Sequence, residues 1–309
     1  MDNNIIISNN LEAMKGVRVI LCPTLDLAKE EAKKHIDYST VEAEYGSAVV
    51  DGSPSMGSWA TLAHHGIRSN NPAPCIWNKT GNGNTSPKLP EAILISHIDL
   101  DTLGGIGLIL GYYNAREQPF WEGAAYIDVH GPHHINALPD EVKSQLRAYW
   151  AYNERNRAPR FTRDAVTDVT ELVCNTFTIL DRIVNNDSEL IADGERWDRE
   201  VTAAVESCLV YQSGTIRAFC GGLFTASSYL GSDGNIRVAT ISFNTKTRAI
   251  TLAFEDGGKH YHAAEIMQHL FGPEAGGREG IAGTPRGKEF TVLDLARTIE
   301  YVEGLLNKE

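Results

Sequence analysis

The strongest constraint on the fold is a pair of short, unbroken apolar runs, each followed at once by a helical pattern. Apart from Arg18 and the closing Ser96, "VRVILC" (17–22) and "AILIS" (92–96) are apolar and show no alternating polar face. Such runs read as strands buried on both sides. "LDLAKEEAKKHI" after the first run and "GGIGLILGYYNA" after the second have helical character. Strands alternating with helices predict an α/β fold whose N-terminal sheet is mostly parallel. "YGSAVVDG" and "AAYIDV" read as two more short strands, and residues 66–90, rich in Asn, Pro, Gly and Ser, as a loop.

From Pro139 to about Cys208 the pattern turns helical, which predicts a connector over 138–208. From Leu209 it turns to strands: "IRVATISFN" and "RAITLAFED" read as a hairpin about "NTKT". "HAAEIMQHLF" reads as an amphipathic helix, and a last helix runs from about Val292 to Leu306. The predicted domains are 1–137, the connector, and 209–309. The chain has 309 residues, comfortable for two cores, and its apolar content of 42% argues against disorder.

A net charge of −12 makes this a poor candidate for gripping long duplex nucleic acid through phosphate contacts. A small phosphorylated partner remains compatible, because a divalent metal or local basic cluster can reverse the field inside a pocket. The five cysteines are odd in number and none are at CxxC spacing, which favours a reducing cytoplasm over a disulfide framework. No stretch approaches a membrane span, and "MDNNIIISNN" lacks the form of a signal peptide. The expectation is a cytoplasmic protein without a membrane partner; a homodimer is compatible with the sequence.

Six of the ten histidines fall between residues 64 and 134, in three groups with acids. The first carries Asp51, His64 and His65. The second, "SHIDLDTLGG", carries His97, Asp99 and Asp101, which would share one face of a strand. The third, "YIDVHGPHHI", carries Asp128, His130, His133 and His134. The second and third each follow an apolar run, as ligands do at the carboxyl edge of a parallel sheet. Imidazole and carboxylate without thiolate suit Mn, Mg, Zn or Fe. Singly, each group has an ordinary explanation: Asp and Thr in "DLDT" cap a helix, and adjacent histidines are common on surfaces. Together they predict a metal site, with His64–His65 and His133–His134 as rival pairs to complete it. "GGIGLILG" lacks the lysine of a phosphate-binding P-loop and reads as helix packing.

The second signal is "FGPEAGGREGIAGTPRGKEF" (271–290). Its glycines allow backbone N–H groups to approach an anion, and Arg278, Arg286 and Lys288 add positive charge. "GGREGIAG", from Gly276 and Gly277 through Arg278 to Gly283, resembles the glycine motif of the DHHA1 domain. "HIDLDTLGG" resembles the motif that opens the DHH phosphoesterase domain. The resemblance implies two α/β lobes, a mostly parallel N-terminal sheet and a smaller C-terminal mixed sheet. It also implies two Mn2+ or Mg2+ ions in the first lobe and substrate held by the second. The namesake Asp-His-His triplet is absent: the sequence reads Ala63-His64-His65 and Pro132-His133-His134.

The expected activity is metal-dependent hydrolysis of a small phosphodiester or phosphoanhydride, such as a short oligonucleotide or dinucleotide. His97, Asp99, Asp101, His133 and His134 are the candidate catalytic residues. Metal ligands would come from these with His64, His65, Asp128 and His130. Gly276, Gly277, Arg278, Gly283 and Arg286 would bind the non-scissile phosphate. Two other classes stay open: a protein that sequesters a nucleotide without cleaving it, and a metal-dependent amide or ring hydrolase using "DVHGPHH".

Overall fold

The computed structural model describes residues 14, 16–41, 62, 73–76, 89–111, 118–156, 165–222, 226–277, 279–285 and 287–307. They form a mixed α/β protein with two sheets. The chain divides into two compact units, Met1–Trp197 and Asp198–Glu309. No helix among the described residues is long and apolar enough to cross a membrane.

The first unit is built on β1 (Arg18–Leu21), β2 (Tyr38–Val41), β3 (Ala92–Ile95) and β4 (Thr167–Asp168), in the order β2-β3-β1-β4. β3 runs parallel to both β1 and β2; β4 is antiparallel to β1. The unbroken apolar runs have the cause expected for them. Val19, Leu21, Ile93 and Ile95 enter one core, while Ile20, Ala92 and Leu94 enter another on the opposite face. A strand buried on both faces has no solvent side to alternate toward. Helix α1 (Leu25–Ala32) supplies Ala28 and Ala32 to the smaller core.

The larger core is helical on its other side. It takes Leu103 and Ile106 from α2 (Leu100–Ile109) and Phe120 and Trp121 from α3 (Pro119–His130). It also takes Leu146 and Tyr149 from α4 (Asp140–Arg155), and Val173 and Phe177 from α5 (Thr170–Val184). The helices expected as a connector over 138–208 are therefore walls of this first core. The division between units falls inside α6 (Ser188–Glu206).

"AAYIDV", expected as a strand, is the second half of α3. Pro119 sits at its first position, where a missing N–H costs nothing. Phe120, Trp121, Ala124, Ala125 and Ile127 are buried at helical spacing, and this tertiary burial overrides the local β character. "YGSAVVDG" lies outside the described residues. The strand that fills the sheet edge is "YSTV", β2.

The second unit has β5 (Leu209–Gln212), β6 (Ile216–Gly221), β7 (Ala239–Asn244), β8 (Ala249–Phe254), β9 (Gly276–Gly277) and β10 (Ile281–Gly283), in the order β5-β6-β7-β8-β10-β9. β6 and β7 are parallel and the other neighbours antiparallel. Among the described residues this mixed sheet has six strands against four in the first, although its unit, Asp198–Glu309, is the shorter of the two. α7 (Ala263–Phe271) and α8 (Val292–Leu306) supply Met267, Leu295 and Val302 to its core. The β7–β8 turn is held by Asn244 Oδ1, which accepts the N–H groups of Lys246 at 2.9 Å and Thr247 at 3.0 Å. Arg217 of β6 is fully buried. It donates to the carbonyls of Ser228 and Leu230 and pairs with Glu206. A buried guanidinium with its donors satisfied ties the neighbouring segments to the sheet.

Candidate functional site

β3 stops at Ile95, so His97, Asp99 and Asp101 do not share a strand face as expected. Asp99 is extended and caps α2, its Oδ1 accepting the Thr102 N–H at 2.8 Å. A carboxylate there satisfies one of the free N–H groups at a helix start, and that local gain ends the strand geometry before His97. His97 lies in the intervening turn. Its Nε2–H donates to Asp99 Oδ2 at 2.9 Å, and its Nδ1 is 2.7 Å from the Ser96 hydroxyl. Burial pushes the Asp99 carboxyl up, but the bond and charge of the His97 ring and the Thr102 bonds outweigh it. The net value falls to about 2.

Asp101 lies in the first turn of α2 and is only 3% exposed. Its Oδ1 accepts the Cys75 N–H at 3.2 Å. Cys75 is itself fully buried. Burial, then the carboxylates of Asp101, Asp128 and Asp99, push its thiol well above the ordinary range. Asp128 itself is exposed on α3, not at a strand end as expected.

The third group forms a row of rings at the end of α3. His130 packs at a tilt against Tyr126 with ring centroids 4.4 Å apart, and the His134 ring centroid is 6.2 Å from that of His130. His133 is buried and 4.4 Å from His134. Gly131 makes the turn between them at φ 90, where the His133 ring packs against its Cα. A side chain at 131 would be strained by that φ and would overlap the ring. A 3-10 turn, Pro132–Ala137, then presents the adjacent histidines. Ring nitrogens of His133 and His134 lie within 4.8 Å of each other, close enough to serve one metal ion. Within the first unit, no carboxylate among the described residues joins them at that distance. His64 and His65, the rival pair, lie outside the described residues.

In the second unit, Gly276, Gly277 and Gly283 form a β-hairpin: Ala282 pairs with Gly277 and Gly283 with Gly276. The open side of Gly277 is taken by the backbone of Ile281 and Ala282, so this glycine serves strand approach. Beside the hairpin is a cleft of about 510 Å³ that includes Gly257, His262, Glu265, Gly277, Glu279 and Gly280 in its lining. The first turn of α7 opens onto it. The Ala263 N–H is spent on the Glu279 carbonyl at 2.7 Å, while Ala264 and Glu265 line the cleft. His262 Nδ1 is 3.8 Å from Glu279. Arg278 and Arg286 lie outside the described residues. Lys288 is paired with Glu274 at 2.5 Å.

No family model matches the chain, and no curated protein matches it. Among solved structures, it is similar to the crystal structure of an uncharacterized protein from Helicobacter pylori G27. The identity is 12%, over 84% of this chain and 78% of that one, with a TM-score of 0.23, a likeness that carries no argument about fold or function.

Proposed function

We propose that the protein is a metal-dependent phosphohydrolase acting on a small phosphodiester or phosphoanhydride, with the lobe roles of the DHH/DHHA1 phosphoesterases. The observation that carries the reading is the His133–His134 pair, whose ring nitrogens are close enough for one ion. His133 and His134 would hold an ion such as Mn2+ through their imidazole nitrogens, and no carboxylate of Asp99, Asp101 or Asp128 shares that reach in this structure. A bound ion would polarise the phosphoryl group and lower the pKa of a water. The residues themselves have separable tasks. His97 holds the Asp99 carboxylate ionised and oriented, and Asp101 is locked by the Cys75 N–H. The cleft beside the glycine hairpin supports a substrate-binding role for the second unit, since the start of a helix favours an anion. Glu265 and Glu279 oppose that charge, so the reading assigns charge neutralisation to Arg278 and Arg286.

The test joins metal analysis to turnover. Wild-type protein purified with Mn2+ is expected to retain metal and to hydrolyse a nitrophenyl phosphodiester. His133→Ala with His134→Ala should lose the metal. Asp101→Asn should lose turnover with its circular dichroism unchanged. Full turnover in either variant overturns the assignment. A nucleotide-binding role without cleavage has one observation in its favour: Asp99 is already committed to capping α2. Tight nucleotide binding with intact nucleotide recovered after incubation with Mn2+ would select that reading.

A further inference from the structure

We propose that the groove between α8 and the β5–β6 edge of the second sheet binds a small amphipathic cation, an apolar body carrying a protonated amine. This does not rest on the phosphohydrolase reading. The groove has a volume of about 490 Å³. That is the size of a small-molecule site. Val210, Tyr211, Leu295 and Ile299 give it apolar walls, and Glu300 and Glu303 are the charged groups in its lining. Among the described residues, no Lys, Arg or His lines it. Val210 at its rim is 57% exposed, so apolar surface is offered to solvent beside two acids.

The charge arrangement selects the ligand. Glu300 and Glu303 are three residues apart on α8, a spacing that puts both on one helix face. Glu303 accepts the hydroxyl of Tyr211. That bond, ahead of burial, raises the Tyr211 pKa, so the phenol stays a donor to the carboxylate. Among the described residues, neither glutamate is ion-paired with a basic side chain. An ammonium would relieve the repulsion between the two carboxylates. An anion would be repelled twice, and a neutral apolar molecule would leave both acids uncompensated.

The experiment titrates the full chain with naphthylethylammonium, the matching neutral naphthylethanol and naphthylacetate, read by calorimetry. The ammonium should bind about tenfold more tightly than the alcohol, since two partly exposed charge pairs contribute modestly each. The carboxylate should show no binding. Glu300→Gln should weaken the ammonium about threefold by loss of one such pair. Ala296→Trp, an exposed lining position, should block the groove to all three probes, with an unchanged circular dichroism spectrum. If that variant unfolds, Glu300→Lys serves in its place and should abolish ammonium binding. Equal affinity for ammonium and alcohol overturns the proposal, as does failure of the ammonium to bind at millimolar concentration. Concentration-dependent dimerisation that protects the exposed Val292 and Leu293 would make the groove a contact between copies and overturn it too.

Discussion

Asp99 shows how a single residue can be read two ways from sequence and still be located by chemistry. Its side chain accepts from both His97 and the Thr102 N–H, and its carboxyl lies at about 2, below the ordinary 3.8. A carboxyl whose folded pKa is depressed contributes stability above its unfolded value, and that contribution is lost as pH falls through the folded value. The stability difference between wild type and Asp99→Ala should therefore be full at neutral pH and shrink between about pH 4 and pH 2. At neutral pH the loss of the cap alone should cost about 1 kcal/mol. Urea melts across that range check both statements; a difference independent of pH would show that the His97 pair contributes nothing. The cap was legible in "DLDT", because capping uses residues within three positions. The partnership of Asp101 with Cys75 was not, because it joins residues 26 apart.

At the scale of elements, α2 explains the glycine pair that follows the aspartates. A Cβ on Gly104 would overlap Cys75 and come within 3.0 Å of the Trp121 ring. The glycines allow close packing, as expected of "GGIGLILG", and bring the Cys75 backbone onto Asp101. Gly104→Ala sets two effects against each other. Helix propensity gains about 1 kcal/mol, while overpacking of a filled core costs about 1–3 kcal/mol or more. Because the backbone of Cys75 is part of the collision, at 2.6 Å from the added carbon, packing should win. A net loss of about 1–2 kcal/mol is expected in chemical denaturation; a stabilised variant would mean the Cys75 segment yields without cost. α3 shows where element type escaped the sequence. "AAYIDV" has strand-like residues, and only the burial of Phe120 and Trp121 under the neighbouring helices makes it helical. β2 escaped for the opposite reason. Ser39 and Thr40 look like a polar turn, yet both are fully buried in the parallel sheet.

At the scale of the molecule, the two units carry separate cores. The core of the second draws on Ile216, Ile241, Leu252, Met267 and Val302, all beyond the division at Asp198. Arg217 finds its carboxylate partner at Glu206, on the last turn of α6, and Asp187 Oδ1 accepts the N–H groups of Glu189 and Leu190 at that helix's start. A fragment of residues 187–309 should therefore fold alone and unfold cooperatively in urea, since a domain with its own core carries its own stability. A fragment without dispersed amide signals in NMR would show that the second core needs residues before the division. The sequence by itself determined the buried strands "VRVILC" and "AILIS", the β7–β8 hairpin, most helices, and the acid and imidazole types available for chemistry. These depend on apolar runs, turn residues and caps, all of which act over a few positions. Only the tertiary structure decided that α4 and α5 belong to the first core, that the glycine loop is a strand pair, and that Asp101 meets the Cys75 N–H. Those outcomes depend on which distant segments share a core, and burial there outweighs what any local stretch prefers.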